Sequence, residues 1–132
     1  MPDRSQDWLA QAQRDLNHAI HACDDEDFEW SCFSAQQAAE KAVKAVFLSQ
    51  HGEGWGHSVY ALLRGLSKTV EISESVFEAA KSLDKHYITT RYPNGFDQGI
   101  PGDYYTKKEA QEAIAYAREI IQFSEDLLRG QE

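Results

Sequence analysis

The sequence predicts an all-α protein, an antiparallel up-and-down bundle of four long helices plus a short fifth. Apolar residues recur at three- and four-residue intervals through most of the 132 residues, which is the period of an α-helix. No segment has the alternation of apolar and polar residues that is typical of a β-strand. Glycine and proline concentrate in short breaks between the periodic segments, and short connections make successive helices antiparallel.

The first two predicted helices span Ser5–Ala22 and Phe28–Gln50. The first carries an apolar stripe of the width that faces a protein core. The second contains FSAQQAAEKAVKAVF, which has no glycine or proline and is rich in strong helix formers. We expect neighbouring helices to approach it closely because one face carries small residues: Cys32, Ala35, Ala39, Ala42, Val43 and Val46.

Three further helices follow a glycine-rich break. A short one is predicted over His57–Ser67 and a longer one over Ser73–Thr90, with Tyr87 among its inward apolar positions. Thr106 and Glu109 have the spacing of a capping box, which predicts the start of a last helix. We expect that helix to end near residue 128.

Polar residues stand beside the small-residue face of the second helix, at Gln36, Gln37, Glu40 and Lys44. Glu40 and Lys44 lie four residues apart in the order that stabilises a helix. One interpretation is a solvated flank of a core helix. The other is a polar seam, formed by these four residues, that faces a cleft or is the interface with a second subunit.

Composition narrows the class of protein. The length predicts one domain, and 42% hydrophobic with 27% charged residues is ordinary for a soluble globular protein. A formal charge of −9 argues against broad, non-specific binding to nucleic-acid backbones. No apolar run predicts a membrane span or a signal peptide. Two cysteines that form no CxxC pair predict reduced thiols in a cytoplasmic protein.

The strongest candidate for a binding site is the end of the fourth predicted helix. Residues 81–93 carry three formal cations against one acidic residue, which indicates a site for a nucleotide or RNA phosphate. We expect Arg91 and Tyr92 to be its main members, with Lys85 and His86 as weaker ones. The alternative is that these cations only offset the dipole of the helix end.

Other candidate residues have structural interpretations. His57, after a glycine, is expected to fix the start of the short third helix. Trp30, Trp55, Tyr104 and Tyr105 are interpreted as packing residues rather than platforms for stacked bases. No group of His, Cys and acidic residues has the spacing of a metal site, and no sequence motif predicts a bound cofactor.

Three sequence stretches together resemble the HEPN family, named for higher eukaryotes and prokaryotes nucleotide-binding. They are AQQAAEKAVKA, then GHS after the glycine break, and LDKHYITTRYP before a loop that ends in paired tyrosines. The resemblance covers most of the chain. It implies a four- or five-helix bundle, commonly homodimeric. It also implies frequent pairing with a minimal nucleotidyltransferase protein, in operons that often behave as toxin–antitoxin modules.

Many members of that family are metal-independent ribonucleases with an Arg-x(4–6)-His motif. Arg91 matches the arginine, which makes it the candidate catalytic residue, but Phe96, Asp97 and Gln98 stand where the histidine is expected. The motif is therefore half present. Three hypotheses remain: a module that binds nucleotide or RNA, an endoribonuclease with another acid–base group, and a non-catalytic protein-interaction module.

Overall fold

The computed structural model of this protein describes residues 3–130 and contains α-helices and short 3₁₀ turns, without strands in that range. This confirms the predicted all-α class. The helices are α1 (Ser5–Asp24), α2 (Phe28–Ser49), α3 (Val59–Leu66), α4 (Glu74–Asp84), α5 (His86–Thr89) and α6 (Lys107–Arg129). Within residues 3–130, none of the helices combines the length and apolar character needed to cross a membrane.

Helix α2 lies at the centre and packs chiefly against α1 and α6. Its predicted small-residue face is fully buried, which confirms that prediction: Cys32, Ala35, Ala39, Ala42, Val43 and Val46 each have 0% exposure. Small side chains let the three long helices approach closely and exclude water from the core. Larger residues from α3, α4 and α6 fill the rest of the core.

Side-chain caps start the later helices. The hydroxyl of Ser58 accepts from the amide of Ala61, and that of Ser73 accepts from Val76. Thr106 and Glu109 form the predicted capping box, with the Glu109 amide 3.1 Å from Thr106 Oγ1. The short third helix therefore begins one residue after its cap, at Val59, rather than at residue 57.

Asp84 ties the start of α3 to the end of α4. Its carboxylate accepts from the Ser58 hydroxyl and from the amides of Val59 and Tyr60, at 2.8, 2.8 and 3.0 Å. Amides in the first turn of a helix have no partner within the helix. The Asp84 carboxylate, at the end of α4, therefore supplies the acceptors that these first-turn amides of α3 lack within their own helix.

The fourth predicted helix is interrupted. It ends at Asp84, and the single turn α5 follows after Lys85, so the predicted continuous helix to residue 90 is not formed. Thr89 and Thr90 donate their hydroxyls to the carbonyl oxygens of Lys85 and His86, at 2.8 and 2.6 Å. These bonds are made by β-branched residues at the end of α5, where they favour termination of that helix, whereas the break itself falls at Lys85.

Several aromatic residues that were expected to pack are exposed. The exposed fraction is 81% for Trp55, 48% for Trp30 and 44% for Tyr104. The packing interpretation is therefore wrong for Trp55, because the glycine-rich segment 51–56 that carries this residue lies on the surface. Tyr104 stacks on Phe96 with ring centres 4.5 Å apart, so part of the loop before α6 is held by its own rings.

Candidate functional site

Arg91 lies among aromatic rings just after α5. Its guanidinium carbon is 4.5 Å from the centre of the Phe33 ring and 4.6 Å from that of Tyr87. The ring of Tyr92, which is half exposed, lies 5.2 Å away. Nε and Nη2 of Arg91 both donate to the carbonyl oxygen of Tyr87, at 2.9 and 2.6 Å. Ring contacts and hydrogen bonds therefore hold the guanidinium in one orientation.

His57 stacks on the same tyrosine. The ring centres of His57 and Tyr87 are 4.7 Å apart, and the two planes differ by 15°. One phenol ring thus contacts both an imidazole and a guanidinium. We call the group Arg91, Tyr87, His57, Phe33 and Tyr92 the Tyr87 platform.

A buried carboxylate from α2 holds His57. Nδ1 of His57 lies 3.3 Å from both carboxylate oxygens of Glu40. The Glu40 side chain is 5% exposed, whereas that of His57 is 57% exposed. Lys44 donates to Glu40 at 3.0 Å and compensates part of the buried charge. Because Nδ1 faces the carboxylate, Nε2 is the nitrogen of His57 that is left for solvent or a ligand.

The other polar residues of α2 belong to the same internal network. Gln36 has 0% exposure and donates to the backbone carbonyl of His57 at 2.8 Å. Gln37 donates to the side-chain oxygen of Gln36 at 2.9 Å. The expectation of a solvated flank is therefore wrong for Gln36 and Glu40, because the chain at the start of α3 covers them. Gln37 and Lys44 remain half-buried.

Lys85 and His86 lie around a separate cavity of about 310 Å³, which is also lined by Tyr105 and Glu109. Nδ1 of His86 is 3.3 Å from the Tyr105 hydroxyl, which is 2.6 Å from that of Thr89. Burial lowers the pKa of His86 and favours its neutral form. This cavity thus presents one lysine and a neutral imidazole.

The four predicted ligands of the phosphate therefore divide into two pairs. Arg91 and Tyr92 belong to the Tyr87 platform, whereas Lys85 and His86 line the cavity beside the loop before α6. Residues five apart on a helix differ by about 140° in direction. His86 is the first residue of α5 and Arg91 follows the end of that helix, so this rotation separates the two side chains.

Three residues of the Tyr87 platform are missing from the sequence-based prediction. His57 is interpreted there as a structural residue and Tyr87 as a core position, and Phe33 is not assigned to the site. The local sequence gives no spacing that joins residues 40, 57 and 87, because they come from α2, the start of α3 and α5. The sequence feature that indicates this site is the pair of polar residues Gln36 and Glu40 beside an otherwise small and apolar face of α2.

Comparisons with known proteins agree with this architecture. The sequence model of the HEPN domain matches residues 5–127. The chain is 26% identical over 131 residues to MJ1304 of Methanocaldococcus jannaschii, whose name marks it as a candidate toxin, with 92% of this chain and 86% of that protein covered.

Three solved structures resemble this protein over more than nine-tenths of its chain. TT1696 from Thermus thermophilus has 44% identity and a TM-score of 0.93, covering 96% of this chain and 99% of that one. ST0689, described as an archaeal HEPN homologue, has 35% identity and a TM-score of 0.81, with the same coverage of 96% and 99%. The HEPN domain protein TM0613 from Thermotoga maritima has 41% identity and a TM-score of 0.77, covering 92% and 97%. The chain therefore belongs to the HEPN family.

Proposed function

We propose that this chain is the HEPN component of a two-protein module of the toxin–antitoxin type, and that it binds the phosphate of a nucleotide or RNA at Arg91. The name of MJ1304 as a candidate toxin supports the module. The family resemblance supports a minimal nucleotidyltransferase as the partner. The cysteine content supports a cytoplasmic location. The geometry of Arg91 supports the phosphate site.

The orientation and free donors of Arg91 are the observation that carries the binding function. A guanidinium has five N–H donors, and the Tyr87 carbonyl accepts two of them. Among residues 3–130, no carboxylate lies within 4.0 Å of Arg91. A guanidinium that is fixed by rings and lacks an acidic partner suits bidentate binding of a phosphate.

The acidity of the chain adds to the specificity of such a site. With a net charge of −9, the overall field repels a phosphate backbone, so binding depends on the few cations that reach it directly. We therefore expect a modest affinity for RNA, to which the residues of the Tyr87 platform make the main contribution.

The test is equilibrium binding of a fluorescently labelled single-stranded RNA, measured by anisotropy. Arg91→Ala is expected to weaken binding at least about tenfold, because charge-assisted hydrogen bonds are lost. Arg64→Ala is the matched control, since Arg64 also stacks on a tyrosine, Tyr60, at 5.8 Å. Equal loss in the two variants, or no loss in Arg91→Ala, contradicts the assignment.

A second candidate function is a metal-independent endoribonuclease, and the pairing of His57 with Glu40 favours it. Cleavage transfers the proton of the 2′-hydroxyl to a base while that oxygen attacks phosphorus and the 5′-oxygen leaves with a solvent proton. His57 Nε2 is the candidate base, Glu40 would hold the ring, and Arg91 would stabilise charge on the phosphate. Cleavage in EDTA by wild type, but not by His57→Ala or Arg91→Ala, would establish this function. Intact RNA with all three folded proteins would exclude it.

A homodimer is the third element of the proposal. In the single chain, Gln36 and Glu40 are buried whereas Gln37 and Lys44 are half-buried, so the latter two are the members of the predicted interface that would reach a second subunit. Light scattering should give about twice the chain mass of 15.0 kDa. Gln37→Arg should then lower that mass toward one chain. An unchanged mass would remove these residues from the homodimer interface.

A further inference from the structure

A second cavity adjoins the Tyr87 platform at His57. It has a volume of about 390 Å³ and lies between the start of α1, the end of α2 and the glycine segment 51–56. The side chains that decide its chemistry are Trp8, Lys44, Glu53, Trp55 and His57. The phosphate site at Arg91 does not account for it.

Two exposed indole rings line this cavity. Trp55 is 81% exposed and Trp8 is 37% exposed. A large aromatic side chain that is left in water forgoes the burial that favours folding. Two of them at one cavity therefore indicate a ligand with a flat face, since aromatic rings gain from stacking.

The segment that carries Trp55 has a defined conformation. A Cβ atom on Gly54 would come within 3.0 Å of Leu62 Cδ2 and 3.1 Å of Phe47 Cδ2, so the backbone there lies tightly against α2 and α3. Gly56 has a φ of +87°, a value that other residues adopt at a cost. Gly54 therefore allows close packing on one side of Trp55, and Gly56 allows the backbone turn between Trp55 and His57.

Polar groups at the cavity complement the edge of a base. Lys44 has three N–H donors, of which one is used by Glu40 at 3.0 Å. The exposed carboxylate of Glu53 is an acceptor for an exocyclic amino group, and His57 offers Nε2. The ammonium of Lys44 would repel a quaternary ammonium ligand, which otherwise suits a pair of tryptophans.

We propose that this cavity binds a nucleobase, stacked on Trp55 and Trp8, of the same nucleotide or unpaired RNA strand whose phosphate is held by Arg91. The site rests on the proposed function, because His57 belongs to both the cavity and the Tyr87 platform and thereby links base and phosphate. Unpaired RNA offers the exposed base faces that aromatic side chains stack upon.

The experiment compares adenosine, AMP, ribose 5-phosphate and a short oligoadenylate as ligands. Affinities come from calorimetry, and quenching of tryptophan fluorescence in a Trp30→Phe background reports contact with the two cavity indoles. Trp55→Ala should weaken AMP binding about tenfold, because a stacked base loses its platform. Trp55→Phe should restore most of the affinity. Tyr104→Ala, which removes an exposed aromatic ring at the other cavity, should leave it unchanged.

The ligand series separates the possible failures. Tighter binding of AMP than of ribose 5-phosphate, together with quenching of tryptophan fluorescence, supports the nucleobase site. A further gain in affinity with the oligoadenylate identifies RNA as the source of the bound nucleobase. Equal binding of AMP and ribose 5-phosphate, with no effect of Trp55→Ala, overturns the nucleobase site but leaves the phosphate site at Arg91 intact. AMP binding that is lost in Trp55→Ala but unchanged in Arg91→Ala supports the cavity and overturns the phosphate assignment. No binding of AMP or RNA overturns both.

Discussion

The rings of His57 and Tyr87 stack with their centres 4.7 Å apart and their planes 15° from parallel. This contact joins the start of α3 to the turn that follows α4, and it brings the imidazole to the residue that also holds Arg91. The candidate site thus depends on a tyrosine that offers a ring and a carbonyl oxygen.

The first prediction concerns the ring of Tyr87. Tyr87→Ala should weaken RNA binding about tenfold even though the Tyr87 carbonyl remains, because His57 and Arg91 lose the surface on which they stack. Anisotropy with labelled RNA measures the change. Tyr87→Phe keeps the ring and should bind like wild type. If Tyr87→Ala, with an unchanged circular dichroism spectrum, also binds like wild type, the ring does not organise the site.

The second prediction concerns the buried carboxylate of Glu40. Glu40→Gln should lower the free energy of unfolding by about 1–3 kcal/mol, because the ammonium of Lys44, whose side chain is 14% exposed, loses its counter-charge. Urea denaturation measures the change.

Glu112→Gln is the matched control for Glu40→Gln. Glu112 also faces a lysine four residues away, Lys108, but the two side chains are 50% and 86% exposed and the charged atoms are 3.9 Å apart. We expect a change of no more than about 0.5 kcal/mol there. Equal effects at the two sites would mean that burial of Glu40 has no energetic consequence.

The third prediction concerns Asp84. Asp84→Ala should lower the free energy of unfolding by about 1–2 kcal/mol, since the Ser58 hydroxyl and two first-turn amides of α3 lose their acceptor. Asp97→Ala removes an exposed carboxylate from the loop before α6 and should change stability little. Hydrogen exchange that is faster only in α3 would show that the lost stability comes from the start of that helix. Identical unfolding curves for the two variants would refute the prediction.

The fourth prediction concerns pH and His86. Burial lowers the pKa of the folded-state imidazole below its ordinary value of 6.5, so the unfolded chain takes up this proton more readily than the folded one. The contribution of neutral His86 to the free energy of unfolding is therefore fully present above about pH 6.5 and is lost as the pH falls through the folded-state pKa. His86→Gln should show a weaker loss of stability than wild type in that acidic window. His18→Gln, at an exposed position, should follow wild type. Parallel curves for wild type and His86→Gln would contradict the prediction.

Much of the helical architecture can be predicted from local signals. The small-residue face of α2, the start of a helix near Ser73 and the capping box of Thr106 and Glu109 each depend on residues a few positions apart, and the structure forms them as predicted. The break between α4 and α5 is harder to predict because each residue there is compatible with a helix.

The site is only partly predictable because its contacts are not local. Arg91 and Tyr92 can be selected from the family resemblance and from charge. The role of Tyr87 requires a knowledge of which residues of α2 and of the glycine segment face it. Exposure of Trp55 likewise depends on where Gly54 packs, since the sequence of the segment is compatible with either a buried or an exposed indole.

The most direct test of the phosphate site is the salt dependence of RNA affinity. The logarithm of the binding constant is measured against the logarithm of salt concentration for wild type, Arg91→Ala and Arg64→Ala. If Arg91 binds phosphate, Arg91→Ala should bind RNA more weakly, with a slope shallower by about 0.7 for each phosphate that the variant no longer neutralises. Arg64→Ala should keep the wild-type slope. A slope for Arg91→Ala that equals that of wild type would mean that Arg91 does not bind phosphate.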